Sequence, residues 1–363
     1  MNPEERTWEV VRLAFEERTH VPRRRGHAKT AVAIAIVVLA AIVGATLSPP
    51  GHAVFERVRK AVGVEHAAPA LFSLPGGGRL LVVSGGEAWL VEPDGARRSL
   101  GAYTDAEWSP HGLYVVATRA NEIAALSPEG QVRWTLARRA PRAPRWEGTR
   151  TDTRIAYDTA GGLRVVAGDG TGDHLLDAHG GSVPAAWDPA RLHTLAYVSL
   201  GVVELRRDDG KLVWRRRLSV TPTGLAWSSD GRYLAVFSAG RVVVLAGATG
   251  TPRRTIAMLG ARLASGSFAP GSHRLAVRVE LHGRSQVHVV DLDRPGHGQL
   301  VLAGPGSFGG LAWSPDGSWL LVSWPAANQW VFLHGTRAHA VGNIRAQFPG
   351  AAQIAGRWCC PSG

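Results

Sequence analysis

Two adjacent cysteines, Cys359 and Cys360, are the only thiols in this 363-residue sequence. Neighbouring Cα atoms sit about 3.8 Å apart, short of the usual disulfide span, so a bond between the pair needs a distorted backbone. If both lie on a strand, their side chains point to opposite faces. One thiol then packs in the core and the other stays reactive or bridges to a second molecule. Both readings, a possible Cys359–Cys360 disulfide and a split pair, stand open on sequence alone. The stretch GDGTGDH, 168–174, offers Asp169, Asp173 and His174. It lacks the alternating acids and distal bidentate Glu of a calcium loop and reads as a Gly-rich hairpin turn. The acids of DLD, 291–293, end a strand. No G-x-S-x-G nucleophile elbow occurs. The expectation is no catalytic residue, no metal ligand and no cofactor.

Binding chemistry is better represented. ARRAPRAPR, 137–145, carries Arg138, Arg139, Arg142 and Arg145, forks suited to carboxylate or phosphate. VELHGRSQ, 279–286, reads as a long loop with His282 and Arg284. SWPAANQ, 323–329, reads as another, with Asn328 at its tip and Trp324 and Trp330 flanking it as aromatic anchors. The competing reading pairs each Arg with a nearby acid and buries each Trp in the core. Net charge is +12, yet only Lys29, Lys60 and Lys211 are lysines. No basic run interleaved with aromatics falls on a helix, so nucleic acid is not an expected partner; net charge speaks to solubility and non-specific contacts.

What must position these groups is a repeat. Aromatics ahead of a turn and an apolar run recur at Trp108, Trp146, Trp187, Trp227, Phe268, Trp313 and Trp358, 38 to 45 residues apart. Turns follow: SPHG, SSDG, SPDG. Pro pre-sets φ and Gly accepts positive φ in such turns. Apolar runs such as YLAVFS and WLLVSW read as second strands, EIAAL and RVVVLAG as third strands, and KLVWRRRL as a fourth. Four strands in about 40 residues is the period of a propeller blade. The unit at 76–100 lacks a strong first strand, while the one ending at Trp358 has little else. Joining them closes a ring. Residues 71–363 then make a seven-bladed all-β propeller of about 42 residues per blade, with six blades of about 49 as the alternative.

LAWSPDGSWLLVSW, LAWSSDGRYLAVFS and AEWSPHGLYVVAT resemble the repeats of TolB-like β-propellers, and less closely those of the WD-repeat kind, since the one Trp-Asp pair, Trp187-Asp188, precedes a turn. The resemblance spans about 290 residues and implies a propeller with protein-binding roles outside the cytoplasmic membrane. The inner strands DAEW, APRW, PAAW, GLAW, SGSF, GLAW and AGRW carry only Asp105 and Glu107 as acids. Acid–base or metal catalysis needs several converging titratable groups, so a binding scaffold is preferred to the alternative, a propeller hydrolase or lactonase with a channel metal.

The amino terminus sets the compartment. Residues 28–47 are long enough to cross a bilayer once Lys29 is passed, and no face is polar. A cleavable signal is the rival, but the preceding segment is long and carries Glu4, Glu5, Glu9, Glu16 and Glu17. Arg23, Arg24, Arg25 and Lys29 place residues 1–27 in the cytoplasm and everything beyond the span outside. Within the tail, Trp8, Val11 and Phe15 oppose Glu9, Arg12 and Glu16 on a short amphipathic helix that docks a cytosolic partner or lies on the inner membrane surface. Residues 48–70 form a linker. The expectation is a single-pass membrane protein whose propeller binds a protein or envelope polymer outside.

Overall fold

The computed structural model describes residues 73–360 except 150, 295, 297 and 336. The anticipated membrane span, cytoplasmic helix and linker therefore lie outside the described residues. Among those described, no helix is long and apolar enough to cross a membrane.

Seven four-stranded antiparallel sheets make the ring. Their innermost strands are Gln353–Cys359 for blade 1, then Asp105–Trp108, Arg142–Trp146, Ala186–Trp187, Gly224–Trp227, Leu263–Phe268 and Leu311–Trp313 for blades 2 to 7. Each touches the innermost strand of the next blade, and that of blade 7 touches that of blade 1. The closure expected from the sequence is present: Gln353–Cys359 pairs antiparallel with Arg79–Ser84, register Val82 to Ile354 and Arg79 to Cys359. Seven blades, not six, follow.

Apolar packing sits between blades. Seven buried clusters form among the described residues, one at each blade-to-blade contact. Side chains alternate across a strand, so Leu80 and Val82 face blade 7 while Leu81 and Val83 face blade 2. Burial on both faces is why RLLVVS and TLAYVS read as unbroken apolar runs rather than alternating ones.

The turn behind each tryptophan is built from its own residues. In blades 2, 5 and 7 the Ser that follows Trp accepts a hydrogen bond at Oγ from the backbone N–H five residues on, at 2.9 Å for Tyr114, 3.0 Å for Tyr233 and 2.9 Å for Trp319. The glycine three past the Ser donates its N–H back to the Ser carbonyl and takes a φ of 64° to 71°, open to Gly without strain. In blades 5 and 7, Asp230 and Asp316 accept from that Ser hydroxyl. His111 stands at this place in blade 2.

VELHGRSQ is not a loop. Strands Arg274–Leu281 and Arg284–Asp291 pair to their ends, leaving His282 and Gly283 as a two-residue turn at φ 48° and 74°. Positive φ at both positions is the tight-hairpin requirement, so an Asn/Asp-Gly-like His-Gly pair extends the strands.

Candidate functional site

Three of the seven blade junctions carry the same tryptophan bond. Trp187 Nε1 donates to the Arg145 carbonyl at 2.8 Å, Trp227 to Ala186 at 3.0 Å and Trp313 to Ser267 at 3.1 Å. Each acceptor is the residue just before the aromatic of the preceding blade. Phe268 has no N–H to give. The bond is also absent at the other three junctions: Trp108 and Trp146 Nε1 are buried with no partner among the described residues, and Trp358 donates to the Gly77 carbonyl. The Trp146 ring instead stacks on Tyr114, centroids 6.5 Å apart and planes 14° from parallel.

The break at Trp146 coincides with a cleft of about 540 Å³ between blades 2 and 3, on the face carrying the Trp-Ser turns. Trp134 floors it, held by a 2.9 Å bond from Nε1 to the Gly168 carbonyl. Leu113 and Tyr114, in the turn after Trp108, are 64% and 40% exposed at its rim. Two large apolar side chains in water beside an aromatic floor are the chemistry of a docking site for an apolar anchor.

The channel holds a second feature. Glu107, from blade 2, is buried; Arg357 of blade 1 lies 3.5 Å away and Arg145 of blade 3 lies 3.9 Å away. Burial raises its pKa against the pull of those two cations. Asp105 is also raised by burial, opposed first by Arg145, and accepts the Ala143 N–H at 2.9 Å. Asp158 stands opposite Arg142 in the strand register. Burial pushes it up to about 6 against Arg142 and Arg145, and its Oδ1 has no hydrogen-bond partner among the described residues. Gly181 must be glycine here: a Cβ would come within 2.9 Å of that oxygen. Glu107, between Arg357 and Arg145, links blades 1, 2 and 3, and Asp105 adds a bond from blade 2 to blade 3. Among the described residues no three His, Cys, Asp or Glu gather in a metal-holding group.

The nine residues read as one binding rim are dispersed. Arg138 forks onto Asp173, which also accepts from Arg164 and Tyr157, so the loop 168–174 is an ion-pair anchor. Only Arg139 of the four stays exposed without such a contact described, while Arg142 donates to the Gly181 carbonyl at 3.0 Å and Arg145 joins the channel cluster. Trp324 and Trp330 are corrected from exposed anchors to core: both are buried, and Trp324 Nε1 donates to the Pro305 carbonyl at 3.1 Å. Asn328, at φ 55°, accepts the Arg345 N–H at 2.7 Å and fixes its loop. His282 is the first residue of the hairpin turn just described, and Arg284 opens the strand after it. Cys359 and Cys360 are bonded to each other. The split-face expectation fails because Cys360 lies past the strand end at φ 57°, which swings its sulfur back.

Tyr114, Arg357 and Asp158 were not singled out from sequence. Tyr114 sits where the repeats have Tyr233 and Trp319, so repeat register hides it. Asp158 lies on a second strand, where a lone acid in an apolar run, RIAYDT, was a readable signal.

By architecture the chain is a seven-bladed β-propeller. No family model matches it, and no curated protein matches it. Among solved structures it is similar to the β-propeller domain of Cps50 (Swd1) from Myceliophteria thermophila, with a TM-score of 0.52 and 13% identity over 66% of this chain and 84% of that one. It is similar to the C-terminal WD40 domain of Sif2, TM-score 0.54 and 12% identity over 77% and 82%. A putative 6-phosphogluconolactonase from Bacteroides fragilis also aligns, TM-score 0.52 and 14% identity over 75% and 96%. At these identities the likeness speaks to fold alone.

Proposed function

We propose that the chain is a single-pass membrane protein that holds its propeller outside the cytoplasm and binds a polypeptide partner in the cleft between blades 2 and 3. The observation that carries the binding reading is the exposed Leu113–Tyr114 rim over Trp146, at one of the contacts where the inter-blade tryptophan bond is missing. The partner it suits is a segment with an aliphatic or aromatic side chain, which removes Leu113 and Tyr114 from water and stacks on the floor. The uncharged stretch in 28–47 and the arginines before it support the anchoring and its direction. The TolB-like repeats fit a partner outside the membrane, and the cytoplasmic tail then reports or localises the contact.

Protease added to right-side-out membrane vesicles tests the orientation. The 48–70 segment should be cut from the outside, releasing the propeller, while an epitope within residues 1–27 stays protected. Loss of that epitope with the propeller retained by the vesicles would place the propeller inside and remove the proposed partner. Tyr114→Ala should weaken partner binding about tenfold or more, the loss expected of an aromatic anchor, with the melting temperature little changed because the ring is half in water. Equal affinity of the two forms would remove the cleft from the binding surface.

A further inference from the structure

A second charged feature lies in blade 6. On the side of blades 1, 2 and 3, Arg357 and Arg145 meet Glu107, and Arg142 acts on Asp158. Arg278, on the second strand of blade 6 (Arg274–Leu281), forms no ion pair with a carboxylate among the described residues. Its Nε donates to Ser265 Oγ at 3.1 Å and its Nη1 to the Gly309 carbonyl at 3.2 Å and the Phe308 carbonyl. Those partners are all neutral. The acid that acts on it, Glu280, stands two residues on and is held by Ser307 Oγ at 3.2 Å. Nη2 has no described partner, which leaves two N–H donors unspent. Burial accordingly depresses the guanidinium from its ordinary value, though an arginine stays charged throughout.

Beside Arg278 lies a pocket of about 580 Å³, opening on the face of the blade-to-blade connections and bounded by blades 6, 7 and 1. Ser265 and Gln353 contribute polar groups from inner strands, and Phe308 and Ile354 give an apolar wall. Gly309 and Gly310 pack closely at its edge: a Cβ on Gly310 would meet the Ile354 backbone at 3.1 Å, and one on Gly309 would meet Ser323 at 3.0 Å. A fixed positive charge with two idle donors, neutral surroundings and an apolar wall is complementary to one negative charge on an apolar body.

We infer that this pocket binds a monoanionic carboxylate bearing an apolar group, its oxygens on Arg278 Nη2 and the Ser265 hydroxyl and its apolar part against Phe308 and Ile354. A phosphate dianion suits the site less, because one guanidinium leaves a net negative charge beside Glu280. The site lies on the opposite face from the Tyr114 cleft, so the two readings fail separately.

The test uses the full-length protein in detergent and calorimetric titration with N-acetyl-leucine, N-acetyl-leucinamide and inorganic phosphate. The acid should bind, the amide should not, and phosphate should not displace the acid. Arg278→Gln should raise the dissociation constant for the acid at least tenfold. The glutamine amide keeps donors for Ser265 or the Phe308 carbonyl, so the fold should stay intact, as circular dichroism would show. If that variant fails to fold, Ala326→Glu gives a second readout, since a tethered carboxylate at the pocket rim should compete with the acid. Equal binding of acid and amide, or an acid affinity unchanged by both substitutions, would overturn the site. Tighter binding of phosphate would overturn the carboxylate assignment.

Discussion

A chain lacking residues 353–363 does not fold to a stable monomer. Those residues supply the innermost strand of blade 1, Gln353–Cys359, which pairs with Arg79–Ser84. Their removal leaves a full set of backbone groups unpaired along Arg79–Ser84 and opens a strand edge toward the channel. It also deletes the buried Trp358, whose Nε1 donates to the Gly77 carbonyl at 2.7 Å and whose ring meets Phe332 edge-on. Truncating one buried Trp costs about 3 to 5 kcal/mol, and a whole domain is stable by only about 5 to 15 kcal/mol. Apolar faces of blades 7 and 2 are uncovered in the same step, because Trp358 belongs to one inter-blade cluster and Ala355 to the next. The expected result is a species eluting as soluble oligomer or aggregate, with no cooperative thermal transition. A monomer melting within about 5 °C of the full chain would show that the ring does not depend on its closing strand.

The second large effect is on pH dependence, and it resides in Asp158. Its folded pKa is raised to about 6 by burial, against about 3.9 for an unfolded Asp. Between those values the folded chain holds a proton that the unfolded chain has released. Stability from this group is therefore fully present below about pH 4 and lost as pH rises through about 6. The amplitude is up to about 3 kcal/mol, at 1.36 kcal/mol per pKa unit. Asp230 and Asp316 act in the opposite direction. Each is lowered to about 2, Asp316 chiefly by the Ser314 hydroxyl, so their stabilisation is lost only as pH falls through that value. Measuring Asp158→Asn against the parent chain isolates the one group. The difference in melting temperature, variant minus parent, should climb by about 5 °C or more between pH 4 and pH 7. A flat difference would mean that Asp158 titrates normally and that the channel cluster is open to water.

The ring, its seven blades and its closure were readable because a blade needs the same solution each time. An aromatic ends the inner strand in every blade, and in blades 2, 5 and 7 a Ser seats the turn and a Gly takes positive φ, so Trp227-Ser228 and Trp313-Ser314 repeat nearly verbatim. The binding surface was not readable in that way. Arg138, Arg142 and Arg145 are close in sequence, but a propeller sends successive residues to different places. The connection carrying Arg138 reaches Asp173 at the outer part of blade 3, while Arg145 turns into the channel. Trp324 and Trp330 looked like loop anchors because strand ends could not be placed to within two residues; both fall inside strands. Asp105 and Glu107 were seen as isolated acids, since their partner Arg357 is 250 residues away from Glu107 in sequence and only ring closure brings it near. Tyr114 stood in plain register with Tyr233 and Trp319. Its exposure depends on the neighbouring blade, which local pattern does not encode.

The binding claim rests most directly on where a partner touches the propeller. A photo-crosslinking amino acid placed at Leu113, on the cleft rim, and separately at Leu259, 85% exposed on the connection between blades 5 and 6, reads this in native membranes. The Leu113 position should give one discrete protein adduct that disappears with Tyr114→Ala, and the Leu259 position should not give that adduct. No adduct from Leu113, or the same adducts from both positions, would contradict a partner seated between blades 2 and 3.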